Sequence, residues 1–421
     1  MKLRIAKFLL LFYIFSLAYI QPSIRFSGFF ISPSDLIFLL LFGVFSFLIV
    51  RGELKLKADY FYLFIALYFF TMIASLVFSD FSSKSLIKLV GEAYLISIPV
   101  VLMNLIESEE ELRLVILCWI AGALIPLIIA LISIVAFYLG SSESVFSFSY
   151  YHYGGLPMGN YPRIRSTFIT PSLLLNYLSV TIILLLIAKE LSWISQRVYL
   201  LLFVAILIVS FFTFSSGLGG VILILGIWFY MTHKNRVWLI GLILSLIGAL
   251  ILYLLNFVAL SHDAMASHDP IFAESSLYPS ARLLVWQASI QTIMENPIFG
   301  KGLGADACQV LFQNTDGTFS LLTDAHNVFL NVTAQLGLFG LITLVLIIFA
   351  TIRRAFFSEF SSVRHRFLAS ALGVAFVSAF LYQGLLSSFE DARHIWSLIG
   401  LIMSVGKLSD FSESRRESHA S

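Results

Sequence analysis

His326 can take up or release a proton near neutral pH, and Asp324 stands two positions before it, where a carboxylate can orient the ring. Arg163 and Arg165 lie in the run Tyr161-Pro-Arg-Ile-Arg-Ser-Thr, and Arg282 opens a later segment with an apolar side. Arginine forks match phosphate oxygens in paired N–H bonds. One titratable base and several arginines suit chemistry on a lipid phosphate or pyrophosphate. Taken singly, each residue also has a plainer use. An arginine at a membrane surface anchors a loop, and a histidine there bonds a headgroup or backbone.

The elements that must hold these residues are hydrophobic helices. The 421-residue chain is 59% hydrophobic and 12% charged, with 41 Phe and a mean hydropathy of +0.95. Soluble domains are about 45–50% apolar and about 25% charged. This composition excludes a soluble globular enzyme and predicts an all-α polytopic membrane protein as one integral unit, 1–421. A span needs about 20 mostly apolar residues. About twelve such segments are expected, near 5–21, 34–50, 60–79, 86–105, 113–139, 171–188, 198–214, 217–233, 237–259, 327–350, 367–385 and 391–406. Lys2, Arg4 and Lys7 precede the first, which we read as a retained helix rather than a cleaved signal peptide.

Charge gives the expected orientation. With the N-terminus in the cytoplasm, twelve spans put 18 of the 26 basic residues on the cytoplasmic side. The C-terminal tail, 407–421, then lies there too. Of the other eight, Arg163, Arg165 and Arg282 face outward. Two outer loops result, a Ser-, Tyr- and Gly-rich one at 140–170 and a long one at 260–326. The longer loop carries a predicted helix that Pro279 and Ser280 start and Asn296-Pro297 ends. Its Leu283, Leu284, Ala288 and Ile293 offer an apolar side for the membrane surface. Cys118 and Cys308 have no metal-ligand spacing. The Ser-His-Asp repeat (261–263 and 267–269) reads as solvated loop rather than metal site. Lys88 and Glu92, one turn apart within a span, are the residues a transporter reading would use.

The order of several blocks carries a family resemblance. His326-Asn327 is followed by nine residues, then Gly337-Leu-Phe-Gly340. Before it stand Arg282-x-x-x-Trp286 and Asn296-Pro297-Ile-Phe-Gly300-Lys-Gly302-Leu-Gly304. Further upstream comes Arg165-Ser-Thr-Phe168-Ile-Thr-Pro171-Ser172. Together, over roughly 160–345, these resemble the signature blocks of the O-antigen ligase and polymerase family. Two departures stand out. The family's Ser-Arg-Gly at a hairpin tip reads Ser215-Ser216-Gly217 here, and its Pro-Asn reads Pro171-Ser172.

The resemblance implies a GT-C-like membrane glycosyltransferase of the bacterial cytoplasmic (inner) membrane. Its donor would be an oligosaccharide on undecaprenyl pyrophosphate. Its acceptor would be lipid A-core or another lipid-linked glycan, with no nucleic acid, metal or cofactor involved. It assigns proton abstraction to His326, tuned by Asp324, and pyrophosphate binding to Arg282, Arg165 and Arg163. Gly337 and Gly340 are expected to let a neighbouring helix come close. A lipid-sugar flippase without glycosyl transfer is the alternative from another class.

Overall fold

A computed structural model describes residues 2–26, 29–56, 58–78, 83–141, 150–153, 161–215, 218–233, 235–262, 280–304, 309–313, 319–322, 325, 327–360, 362–386 and 392–420. The helices are α1 (Lys2–Ser16), α2 (Pro33–Val50), α3 (Phe61–Phe78), α4 (Ser83–Leu105), α5 (Glu109–Gly122), α6 (Leu124–Tyr138), α7 (Pro171–Glu190), α8 (Gln196–Phe211), α9 (Leu218–His233), α10 (Arg236–His262), α11 (Ser280–Glu295), α12 (Val328–Phe356), α13 (Val363–Leu386) and α14 (Arg393–Ala420). Short antiparallel hairpins pair Ile24–Phe26 with Phe29–Ile31, Tyr150–Tyr153 with Tyr161–Ile164, and Val310–Gln313 with Phe319–Leu322.

A helix stands over each of the twelve apolar segments of the sequence. Among the described residues, seven candidate spans are long and apolar enough to cross a membrane by length and composition. α8 and stretches of α9 and α10 are shorter apolar helices. The architecture is thus all-α and consistent with a polytopic membrane protein. Large apolar side chains such as Leu39, Leu40, Phe42, Phe70, Leu201 and Leu244 are exposed on the bundle surface. An apolar surface of that extent needs a covering, and acyl chains provide one.

α7 is the central helix, buried almost throughout, and the first half of α14 is buried beside it. Both start where a polar side chain can terminate a helix or meet a partner. Thr170 caps α7, its hydroxyl accepting the Leu173 N–H at 3.2 Å, with Pro171 in the first turn. Arg393, at the start of α14, grips Asp35 at the start of α2 through Nε–Oδ1 at 2.5 Å and Nη2–Oδ2 at 2.8 Å. His394 beside it bonds Asn176 of α7 at 2.5 Å.

The segment 113–139, expected as one span, is divided at Ala123 into α5 and α6. Pro126 has no N–H to give the Gly122 carbonyl. The Tyr19 hydroxyl donates to that carbonyl instead, at 3.2 Å. A Cβ on Gly122 would collide with the backbone of Phe15, so α1 packs directly into the break.

Ion pairs gather at one end of the bundle. There Lys2 meets Glu53 at 2.6 Å, Lys7 meets Glu107 at 2.8 Å and Glu111 at 2.6 Å, Arg364 meets Glu109 at 2.5 Å, and Arg354 meets Asp59 at 2.8 Å. The other end carries the Asp35–Arg393 pair, the hairpin with Arg163, and the loop helix α11.

Candidate functional site

Arg163 and Arg165 are set by a tightly tied strand and turn. The Ile164 N–H donates to the Phe212 carbonyl at 2.9 Å, and Arg163 Nε donates to the Thr213 carbonyl at 3.1 Å. These bonds dock the strand on the turn that ends α8. Ser166, at a left-handed φ of 49°, turns the chain, and its hydroxyl donates to the Pro126 carbonyl at 2.7 Å. The Thr167 hydroxyl donates to the Ala18 carbonyl at 2.5 Å, and the Thr167 carbonyl accepts the Gln21 N–H at 2.7 Å. Arg165, whose Nη1 donates to the Ile169 carbonyl at 3.4 Å, therefore stands on a backbone held from three sides.

The turn after α8 also carries Ser215. Its hydroxyl bonds Ser172 in the first turn of α7 at 3.1 Å and Tyr382 of α13 at 2.6 Å. Sequence reasoning missed Tyr382. It is one tyrosine in an aromatic-rich chain, and only the fold brings it to Ser215.

α11 occupies the stretch that its Pro279-Ser280 start and Asn296-Pro297 end predict. Trp286 Nε1 donates to the Ala325 carbonyl at 2.8 Å. The Ala325 N–H reaches Asn331 Oδ1 at 3.4 Å. Asn327 caps α12, its side-chain oxygen accepting the N–H groups of Phe329 at 3.0 Å and Leu330 at 3.3 Å. The residues on both sides of position 326 are thus fixed by partners. His326 and Asp324 themselves lie outside the described residues. Position 282 lies one turn before Trp286 on α11, and the Arg282 side chain is outside the described set. So are Cys308, Asp263, His268 and Asp269.

The start of α12 also meets α13. A Cβ on Gly384 would stand 3.0 Å from Val328 Cγ1, and the Phe329 and Phe380 rings are 5.9 Å apart. Tyr382 lies between these contacts on α13. The arginine hairpin and the start of α12 are therefore linked through Ser215, Tyr382 and α13.

Gly337 departs from its expected role. It sits inside α12 at φ 68°, ψ −168°, where the helix kinks. What approaches it is a loop, not a helix, because the kink frees backbone groups that the loop can satisfy. The Leu338 N–H donates to the Pro297 carbonyl at 2.8 Å. The Lys301 N–H donates to the Ala334 carbonyl at 2.9 Å, and the Gly302 N–H to the Gln335 carbonyl at 3.2 Å. The Gly304 N–H reaches Gln335 Oε1 at 3.2 Å, and the Ser75 hydroxyl reaches the Gln335 carbonyl at 2.9 Å. Gly340 lies past the kink, and a Cβ there would run into the Leu336 side chain of the same helix. Its smallness thus lets α12 bend.

These pieces form one arrangement. The glycine loop fixes the end of α11 to α12, Trp286 fixes α11 to residue 325, and α13 ties the start of α12 to the turn beneath the arginines. Residues 201–345 match the family model described as O-antigen ligase. The matched stretch contains α11, the Gly300–Gly304 loop, the kink and the start of α12. The resemblance to the O-antigen ligase and polymerase family holds, and it supports a role in cell-surface polysaccharide biosynthesis. No curated protein matches the chain.

Lys88 and Glu92, the residues of the transporter reading, form an ion pair at 3.4 Å within α4. That is an ordinary one-turn pairing on a helix.

Proposed function

We propose that this protein transfers or polymerises undecaprenyl-pyrophosphate-linked glycan onto a sugar hydroxyl at the outer face of the bacterial cytoplasmic membrane. One observation carries the reading. The stretch matching the O-antigen ligase family contains the elements that anchor the residues on both sides of His326.

In this reaction the acceptor hydroxyl oxygen attacks the anomeric carbon of the donor sugar. The new glycosidic C–O bond forms as the C–O bond to pyrophosphate breaks, and the bonding electrons leave with pyrophosphate. His326 takes the hydroxyl proton, and Asp324 orients its ring. Arg282, with Arg165 and Arg163, stabilises the departing negative charge. Arginines held on a tied backbone suit that task, because preorganised charge needs no rearrangement as the bond breaks. The acceptor is lipid A-core for a ligase, or another lipid-linked repeat for a polymerase.

The orientation of this reading keeps both termini in the cytoplasm, with the loops 140–170 and 260–326 outside. The stretch 338–356 alone approaches the about 20 residues a span requires. The Gly337 kink and its loop then fall near the outer membrane surface.

The test uses purified protein in lipid, with lipid-pyrophosphate-linked oligosaccharide extracted from the source membranes and no added metal. Wild type is compared with His326→Ala and Arg282→Ala. Longer lipid-linked chains from wild type alone support the polymerase form. Single-block transfer only when lipid A-core is present supports the ligase form. Lipid crossing vesicles without a new glycosidic bond overturns the reading in favour of a flippase.

A further inference from the structure

We infer that Tyr382 is a positioning residue of the transfer site, acting through Ser215 to hold the arginine side of the site in register with the start of α12. The inference rests on the reading above, and concerns a residue outside the matched stretch 201–345.

Three hydroxyls from three separate elements meet here. Tyr382 of α13 bonds Ser215 at 2.6 Å, and Ser215 bonds Ser172 of α7 at 3.1 Å. Ser215 is 6% exposed. Hydroxyls withdrawn from water cost free energy unless bonded. Phe and Ala would fill the same volume with no bonds to satisfy. The hydroxyls specify a geometry that apolar packing leaves loose, since each hydrogen bond demands a distance and an angle.

Each end of the chain leads to a proposed functional group. Ser215 is two residues from Thr213, whose carbonyl accepts the Arg163 guanidinium N–H at 3.1 Å. On the other side, α13 flanks Tyr382 with Phe380 against Phe329 and Gly384 against Val328. Val328 is two residues after His326. A shift of α13 against the 212–215 turn therefore changes the separation of the arginines from the proposed base. Such shifts are expensive in rate, because a misplacement of about 1 Å can cost about 100-fold. They are cheap in stability, because a single hydrogen bond between helices in lipid contributes little.

The experiment measures steady-state transfer by wild type, Tyr382→Phe, Ser215→Ala and the double variant, using the extracted lipid-linked oligosaccharide as donor. Rates are normalised to monodisperse protein in lipid nanodiscs. Tyr382→Phe is expected to lower kcat at least about 10-fold, with the donor KM changed less than about 2-fold, the pattern of an interaction lost at the transition state. The double variant is expected to be no slower than the slower single one, because the two hydroxyls act as one unit. Ser215→Thr, which keeps a hydroxyl, is expected to recover most of the rate. A merely structural contribution would lower the yield of monodisperse protein and its melting temperature while leaving kcat per folded protein within about 2-fold of wild type, and would overturn the inference. If wild type transfers glycan and Tyr382→Phe matches it, the inference fails while the proposed function stands. If wild type forms no glycosidic bond, both fall.

Discussion

Gly300 and Gly337 face each other across the bend of α12, each with a backbone that only glycine adopts easily. Their φ angles are 71° and 68°. A Cβ on Gly300 would meet the backbone of Gln335, and one on Gly337 would meet the backbone of Ile298. Alanine adds about 1–2 kcal/mol of strain at the positive φ of Gly300, and about 1–3 kcal/mol at Gly337, whose ψ of −168° puts it in a region essentially only glycine enters, each on top of a backbone collision. Gly300→Ala and Gly337→Ala are expected to reduce monodisperse protein in detergent and to lower its melting temperature. Gly340→Ala differs, because the obstacle is the Leu336 side chain. The nearest atom is the Leu336 Cβ, which alanine keeps, so the double variant Gly340→Ala with Leu336→Ala should melt no higher than Gly340→Ala alone. A single variant as stable as wild type would show that the bend is not locked in this way.

Arg393 and Asp35 form a two-pronged ion pair, with 10% and 14% of their side chains exposed. Removing one partner of a buried pair costs about 3–5 kcal/mol, whereas apolar replacement of both is often close to neutral. Arg393→Leu alone should therefore lower the melting temperature more than Arg393→Leu combined with Asp35→Leu. A double variant less stable than both single ones would show that the pair stabilises the bundle beyond its own desolvation.

Helix positions were legible in the sequence because lipid imposes a length and a polarity on each segment. The loop helix was legible at residue level, since Pro279-Ser280 and Asn296-Pro297 are strong local signals and α11 runs Ser280–Glu295. The break at Ala123 was not legible. Pro126 hints at it, but the hydroxyl that completes it comes from Tyr19, more than 100 positions away. Gly337 was legible as special and misread in kind. A glycine in an apolar helix signals close approach, and sequence does not say whether a helix or a loop approaches. Tyr382 carried no local signal at all, because its meaning depends on Ser215 and Ser172 arriving from other elements. The arginines stood out in the sequence by type, and the carbonyls that fix Arg163 and Arg165 did not.

Trp286 tests whether the loop helix aims the residues before α12. Its indole N–H holds the Ala325 carbonyl at 2.8 Å, next to His326. Trp286→Phe keeps an aromatic ring, smaller than the indole, and removes the donor. The lost bond should cost about 1 kcal/mol in stability. Glycan transfer should fall by at least about 10-fold, because small displacements of a proposed base are costly in rate. A fall confined to the donor KM, with kcat preserved, would instead place Trp286 in donor binding.

The twelve-span orientation can be checked from both sides of the membrane. With Cys118 and Cys308 replaced by serine, single cysteines go in at Ser141, just past α6, and at Glu359, just past α12. The proposed topology puts 141 outside and 359 in the cytoplasm. A membrane-impermeant maleimide should label Ser141→Cys in intact spheroplasts, and Glu359→Cys only after the membrane is opened. Each missing span between them would invert every later loop, so the second site is sensitive to the count of the five spans proposed between them. Labelling of Glu359→Cys from outside would mean an odd error in that count. Unless the error lies in the span that follows His326, it would also put Arg163 and Arg165 on the opposite side of the membrane from Arg282 and His326.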